Sequence, residues 1–176
     1  MRKDQIWLVR PATSSFPYQK WLLDRGSLTS RIKERCRDFS VRRIRQELGK
    51  ITSDEQRILN LRAQRLALVR EVLLYCGATP VVFAHTALDA RFLHGPWRSV
   101  ATMGNKPLGA ALFADARVKR MPLHFKKLTK HHALYERACR TMRSPPPFLW
   151  ARRSLFRRDH APLLVTEVFL PGILEL

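Results

Sequence analysis

Pro162-Leu163-Leu164-Val165-Thr166-Glu167-Val168-Phe169-Leu170-Pro171 is the stretch on which the fold turns. The run between the two prolines is short, β-branched and aromatic, so it predicts a strand. Strand side chains alternate in direction, which places Glu167 on one face with Val165 and Phe169. A carboxylate buried on such a face is costly unless it is paired or hydrogen-bonded. A matching anomaly sits in Leu66-Ala67-Leu68-Val69-Arg70-Glu71-Val72-Leu73-Leu74-Tyr75, where Arg70 shares its face with Leu66, Leu68, Val72 and Leu74. One acid and one base, each alone on an apolar strand face, predict a buried polar cavity in a sheet protein. From the strand patterns alone, two readings stay open: a structural ion pair in the core, or a functional site.

Working outward, Arg65 to Tyr75 reads as a strand, Gly77-Ala78-Thr79-Pro80 as a turn, and Val81 to Leu88 as the return strand of a hairpin. Phe148 to Arg157 and Pro162 to Pro171 form a second hairpin across Asp159-His160-Ala161. Phe39 to Gln46 and Arg117 to Phe125 are further strand candidates. Tyr18 to Leu23 reads as a short helix, and Ser27 caps another from Leu28 to Arg37. Asp54 to Leu61 is a turn or short helix, Leu93 to Met103 is irregular, and Pro107 to Phe113 begins a short helix. In Lys126 to Pro147, the spacing of Leu128, His132, Tyr135, Ala138 and Met142 predicts a helix ended by Pro145-Pro146-Pro147. Antiparallel strands with helices at the start and middle make this an α+β chain.

At 176 residues with 45% hydrophobic composition, one domain with a real core is expected. No run of about 18 apolar residues is present, so no membrane-spanning helix is expected, and the basic N-terminus lacks the apolar stretch of a signal peptide. Cys36, Cys76 and Cys139 share no metal-ligand spacing and are odd in number, which fits a reducing cytoplasm. The spacing of His124, His131, His132 and Cys139 is not that of a metal site. The 33 Lys and Arg against 14 Asp and Glu give a formal charge of +19. Such a charge directs attention to nucleic acid. Yet no zinc-finger spacing, RNP-type aromatic motif or Gly-rich phosphate loop accompanies it. The charge is spread through Arg31–Arg45 and Arg117–Arg158. It fits a solvated face first, and also a field that attracts a dianionic metabolite or weakly attracts an anionic membrane surface.

Several stretches occur in an order that carries a resemblance. They are Trp21-Leu22-Leu23-Asp24, Ser27-Leu28-Thr29, Val69-Arg70-Glu71-Val72-Leu73-Leu74, Gly104-Asn105-Lys106-Pro107-Leu108-Gly109, Trp150-Ala151-Arg152-Arg153-Ser154 and the Pro162–Pro171 run. Together they resemble the chorismate pyruvate-lyase family, from about Trp21 to Pro171. The resemblance implies a single chorismate-lyase-like domain over residues 1–176, with residues 126–147 as a helical insertion. It implies a single antiparallel β-sheet with helices packed on one face. The implied activity is a lyase that turns chorismate into 4-hydroxybenzoate and pyruvate, towards ubiquinone, as a cytoplasmic monomer with no cofactor and no metal.

The resemblance also implies residue roles. Arg70 binds a carboxylate, as a guanidinium does through two parallel hydrogen bonds. Glu167 meets the ring hydroxyl, where a carboxylate accepts or relays a proton. Backbone amides at Leu28 and Leu108 help close the site, and Gly109 permits an unusual loop backbone there. His85 has two readings, a contact to the second carboxylate or an ordinary hairpin histidine. Arg152 and Arg153 read as strand-edge residues with structural or surface roles. Two rivals to catalysis remain. One is a non-catalytic module that binds small aromatic acids, as the same fold does in some transcription regulators. The roughly twenty residues before Trp21 leave no room for the DNA-binding helices those carry. The other is a basic nucleic-acid-binding protein, which the charge supports and the intact Arg70 and Glu167 oppose.

Overall fold

The Pro162–Pro171 run forms β7 (Ala161–Phe169), an inner strand of one antiparallel sheet. The structure, a computed structural model, describes residues 6–140 and 142–176. Before β7 come β1 (Phe39–Gly49), β2 (Ala67–Cys76), β3 (Thr79–Asp89), β4 (Val118–Arg120), β5 (His124–Thr129) and β6 (Phe148–Arg158). Their order across the sheet is β1-β2-β3-β7-β6-β4, with β5 also paired to β6. The two hairpins expected from sequence, β2–β3 and β6–β7, meet through β3 and β7 at the sheet centre. Inner strands are covered on both faces, so β2 reads as a nearly continuous apolar run. Its first eight residues are all buried.

The edge strand β1 is different. It is mostly exposed, and Arg42 and Arg43 point to solvent. Charge on an edge strand discourages pairing with another chain. A β-bulge between Arg43 and Arg45 adds to that protection by breaking the regular register. Much of the Arg31–Arg45 charge is thus a solvated face.

Four helices lie over one face of the sheet: α1 (Gln19–Leu22), α2 (Leu28–Lys33), α4 (Arg98–Ala101) and α5 (Leu108–Ala114). From α1 and α2, Trp21, Leu22, Leu28 and Ile32 pack on Val72, Leu74 and Phe169. Val100, Leu108 and Leu112 pack on Leu68, Phe156 and Leu163. Two further short helices, α3 (Ser53–Leu59) and α6 (Ala133–Cys139), cover part of the other face. Leu134 and Ala138 of α6 sit against Leu73, Phe83 and Val168 there.

The helix expected over Lys126–Pro147 is shorter than its apolar spacing predicts. Residues Lys126 to Thr129, Leu128 among them, pair with Phe148–Ala151 of β6 and are strand. The expected strand Arg117–Phe125 is likewise split into β4 and β5. Pro122, which has no N–H to donate to a ladder, lies in the break. The cysteines also differ from expectation. Cys36, just beyond α2, is disulfide-bonded to Cys76 at the end of β2, and Cys139 is free and buried. The two are 40 residues apart in sequence, a separation that carries no pairing signal.

Candidate active site

Strand alternation and register place Arg70, Thr86, Val165 and Ser154 in one row across β2, β3, β7 and β6. One pair further along, Ala84, Glu167 and Arg152 form the next row on the same face. The helices α2 and α5 close over these rows. The result is a cavity of about 40 Å³ lined by Leu28, Arg70, Leu108, Glu167 and others. All four residues expected at the site therefore meet around one cavity, and Arg120 and Ser154 join them.

Arg70 is 2% exposed. Its Nη2 donates to the carbonyls of Gly104 (3.1 Å) and Lys106 (2.8 Å), while its Nε has no partner. Burial, then the charge of Arg43, pulls its pKa down to about 10, so it stays cationic at neutral pH. The loop that offers those carbonyls is pinned to β1. Asn105 Oδ1 accepts from the Arg43 N–H at 3.0 Å, and Gln46 Nε2 donates to the Ala101 carbonyl at 2.6 Å. Gly104 has φ of 57°, a left-handed conformation that costs glycine little.

Gly109 has a different role from the one expected. It is helical, and a Cβ there would lie 3.1 Å from Thr29 Oγ1. It is the close approach of α5 to α2, not an unusual loop backbone, that favours glycine there, since a Cβ would have to displace the Thr29 side chain. Leu28 and Leu108 are the first residues of these two helices. First-turn N–H groups have no intrahelical acceptor, so helix starts supply free backbone donors.

Glu167 is paired with Arg152, whose Nε lies 2.5 Å from Glu167 Oε2. Arg152 is fully buried, and its Nη1 donates to the carbonyls of Trp21 (2.8 Å) and Asp24 (2.6 Å). It thus fixes the carboxylate and ties the α1 segment to the sheet. The edge position expected for Arg152 and Arg153 is incorrect, because β6 has neighbours on both sides. Arg120 is the other residue that sequence reasoning missed. Its Nε donates to Ser154 Oγ at 2.8 Å, and its Nη1 to the Arg25 carbonyl at 2.9 Å.

The opposite face of the same strands carries a second polar cluster. Fully buried His85 lies between two glutamates, with Nδ1 3.0 Å from Glu71 Oε1 and Nε2 3.0 Å from Glu55 Oε1. Arg137 of α6 reaches Glu71 at 2.5 Å. His85 therefore does not face the cavity, and a contact to a second substrate carboxylate is not open to it. Burial pushes Glu71 up, but the hydrogen bonds and charges of His85 and Arg137 outweigh this and hold it at about 2. Burial lowers His85, and the two carboxylates reverse that to a net rise. Among the described residues, no group of three His, Cys, Asp or Glu is placed to hold a metal ion.

The signs of these shifts define a window. The Glu71 contribution is present above its ordinary 4.5 and lost as pH falls towards about 2. The His85 contribution is full below its ordinary 6.5 and lost as pH rises through its elevated value. Urea unfolding at a series of pH values should show stability falling above pH 6.5, with that fall absent in His85→Gln. An identical alkaline slope in both proteins would remove His85 as its source.

The family model described as chorismate lyase matches residues 1–175. The chain belongs to the chorismate lyase family. A "Probable chorismate pyruvate-lyase" of Nitrosospira multiformis is 53% identical over 171 residues, covering 97% of this chain and 95% of that one. One of Nitrosomonas europaea is 49% identical, covering 97% and 96%, and one of Azoarcus sp. is 47% identical, covering 98% and 94%. Among solved structures, the PhnF C-terminal domain superposes with a TM-score of 0.62 at 13% identity, over 86% of this chain and 89% of that one. The effector domain of PhnF from Mycobacterium smegmatis gives 0.55 at 16%, over 84% and 90%. At such identity these two share the fold with this chorismate lyase family member, and nothing finer.

Proposed function

We propose that this chain converts chorismate to 4-hydroxybenzoate and pyruvate, with Arg70 and Glu167 as the residues that hold and activate the substrate. The observation that carries the reading is their convergence, with Leu28 and Leu108, on one cavity in a chorismate lyase family member. Chorismate has a ring carboxylate, a ring hydroxyl para to it and an enolpyruvyl ether next to the hydroxyl. Arg70 takes the ring carboxylate. Glu167 accepts from the hydroxyl. The ether C–O bond breaks and its electron pair leaves with the enolpyruvyl oxygen. The ring carbon bearing the hydroxyl gives up its proton to the Glu167 carboxylate, which then returns it to the departing enolate, and the electrons of that C–H bond complete the aromatic ring. A proton reaching the enolate methylene yields pyruvate. Aromatisation drives the step, so binding, orientation and exclusion of water are the protein's main tasks.

The cavity volume of about 40 Å³ is far below the roughly 300–1,000 Å³ of small-molecule sites. The loops before α2 and α5 therefore open to admit chorismate and close around it. Chorismate incubated with pure protein should give 4-hydroxybenzoate and pyruvate in equal amounts. Absence of both products would end this reading.

Ring carboxylate and hydroxyl both survive the reaction, so the site should recognise the product nearly as well as the substrate. Competitive inhibition by 4-hydroxybenzoate is expected at concentrations at or below the KM for chorismate. Progress curves with added product test this, and initial rates unchanged well above KM would reject the two proposed contacts. The same reading takes the chain as one domain with residues 126–147 added to the family's fold, acting as a cytoplasmic monomer. The +19 charge supports weak, salt-sensitive attraction to anionic membrane surfaces.

A further inference from the structure

The proposed contacts account for one of the two carboxylates of chorismate. We propose that Arg120 binds the other, the enolpyruvyl carboxylate, and so separates substrate from product. The inference rests on the lyase reading above.

The order of groups across the sheet carries it. The guanidinium of Arg120 lies on Ser154, at the far end of the row that starts with Arg70. Three strand steps separate β2 from β6, roughly 14 Å. Glu167, on β7, stands between the two cations. Chorismate presents its groups in that order: ring carboxylate, ring, hydroxyl, then the enolpyruvyl carboxylate beside the hydroxyl. With the ring carboxylate on Arg70 and the hydroxyl at Glu167, the enolpyruvyl arm extends towards Arg120.

Arg120 is also built to receive an anion. Its Nε and Nη1 are held by Ser154 Oγ and by the Arg25 and Gly26 carbonyls. Its guanidinium sits over the rings of Phe113 (5.4 Å) and Phe156 (5.6 Å). Nη2 donates to no group among the described residues and is not among the buried unpartnered atoms. A fixed guanidinium with an open donor is pre-organised for a carboxylate. It would also act on the transition state, because negative charge develops on the departing enolpyruvyl group.

The surroundings give that group a way out. Arg120 and Phe113 line the 40 Å³ cavity and also a second, larger one of about 610 Å³. Arg10 and Arg25 lie in the walls of the larger cavity. Once cut from the ring, pyruvate has Arg120 at its carboxylate and an open, basic cavity beyond. 4-Hydroxybenzoate, which lacks that carboxylate, makes no such contact.

This asymmetry provides the test. Arg120→Gln should lower kcat/KM for chorismate about 30-fold or more, with the inhibition constant of 4-hydroxybenzoate within about twofold of the parent, as loss of a charged hydrogen bond predicts. A merely structural role would weaken 4-hydroxybenzoate in parallel, and that result overturns the proposal. So does an unchanged kcat/KM. If Arg120→Gln does not fold, Arg120→Lys keeps the charge, loses the fork, and is read by the same split. Parent protein that makes no 4-hydroxybenzoate defeats the lyase reading itself. Active parent protein without the split defeats only the role of Arg120.

Discussion

Glu167→Gln is expected to lower kcat by about 10²- to 10⁴-fold, the usual contribution of a positioned acid or base, while KM for chorismate changes little. Glutamine keeps the size of the side chain and can still meet a hydroxyl. It cannot take a proton, and it does not compensate the positive charge that spreads over the ring as the C–O bond breaks. The variant also removes the anionic partner of Arg152, a fully buried cation. Three backbone carbonyls still accept from Arg152 Nη1, which limits the structural damage. Thermal unfolding of the variant, run beside steady-state kinetics, separates the two effects. A folded Glu167→Gln with parental kcat would rule out the carboxylate as the activating group.

Arg70→Ala should act on binding instead. Truncating one partner of a buried charge-assisted contact costs about 2–5 kcal/mol. At 1.36 kcal/mol per decade, kcat/KM falls by about 30- to 5,000-fold, and most of the loss appears in KM. Unlike Arg120→Gln, this change should weaken 4-hydroxybenzoate as well, because the product keeps the ring carboxylate. The Gly104 and Lys106 carbonyls, which accept from Arg70, lose a donor in the variant and loosen the loop before α5. Arg70→Lys tests how much of the effect is charge alone, since lysine cannot form the two-pronged contact. Equal losses in kcat and no change in KM for Arg70→Ala would mean that the roles of Arg70 and Glu167 are misassigned.

The sheet was legible because its strands are two-sided. On one face of β2 and one face of β7, apolar residues flank a single charge, and that misfit points directly at Arg70 and Glu167. Their shared face could not be read from either strand alone, because it depends on β3 lying between them. Arg152 reads as an edge residue from sequence, and its place beside Glu167 was illegible for a related reason. Trp150, Arg152, Ser154 and Phe156 alternate on one face of β6. The neighbouring Arg153, Arg157 and Arg158 make that face hard to separate from an ordinary basic run. Arg120 lies in a strand of three residues, too short to show any period. The two readings of His85 could not be separated in sequence, because its neighbours Ala84 and Thr86 line the cavity while His85 faces the other way. The buried pair Glu55 and Glu71 that claims it comes from a helix and another strand. The disulfide and the short α6 depend on tertiary contacts that local spacing does not encode.

The alternation that builds the site also makes it a reading frame. Along each site strand, the residue next to a site residue belongs to the opposite face: Glu71 after Arg70, His85 before Thr86, Thr166 before Glu167, Arg153 after Arg152. A slip of one residue in β2 would bring a carboxylate to the position proposed for the substrate's own carboxylate, and carry the guanidinium to the far side. The site would then repel the group it is proposed to attract. Insertions and deletions of a single codon in these strands should therefore invert the site rather than weaken it. Changes of chain length should instead be tolerated in the segments between strands, where the frame is not read.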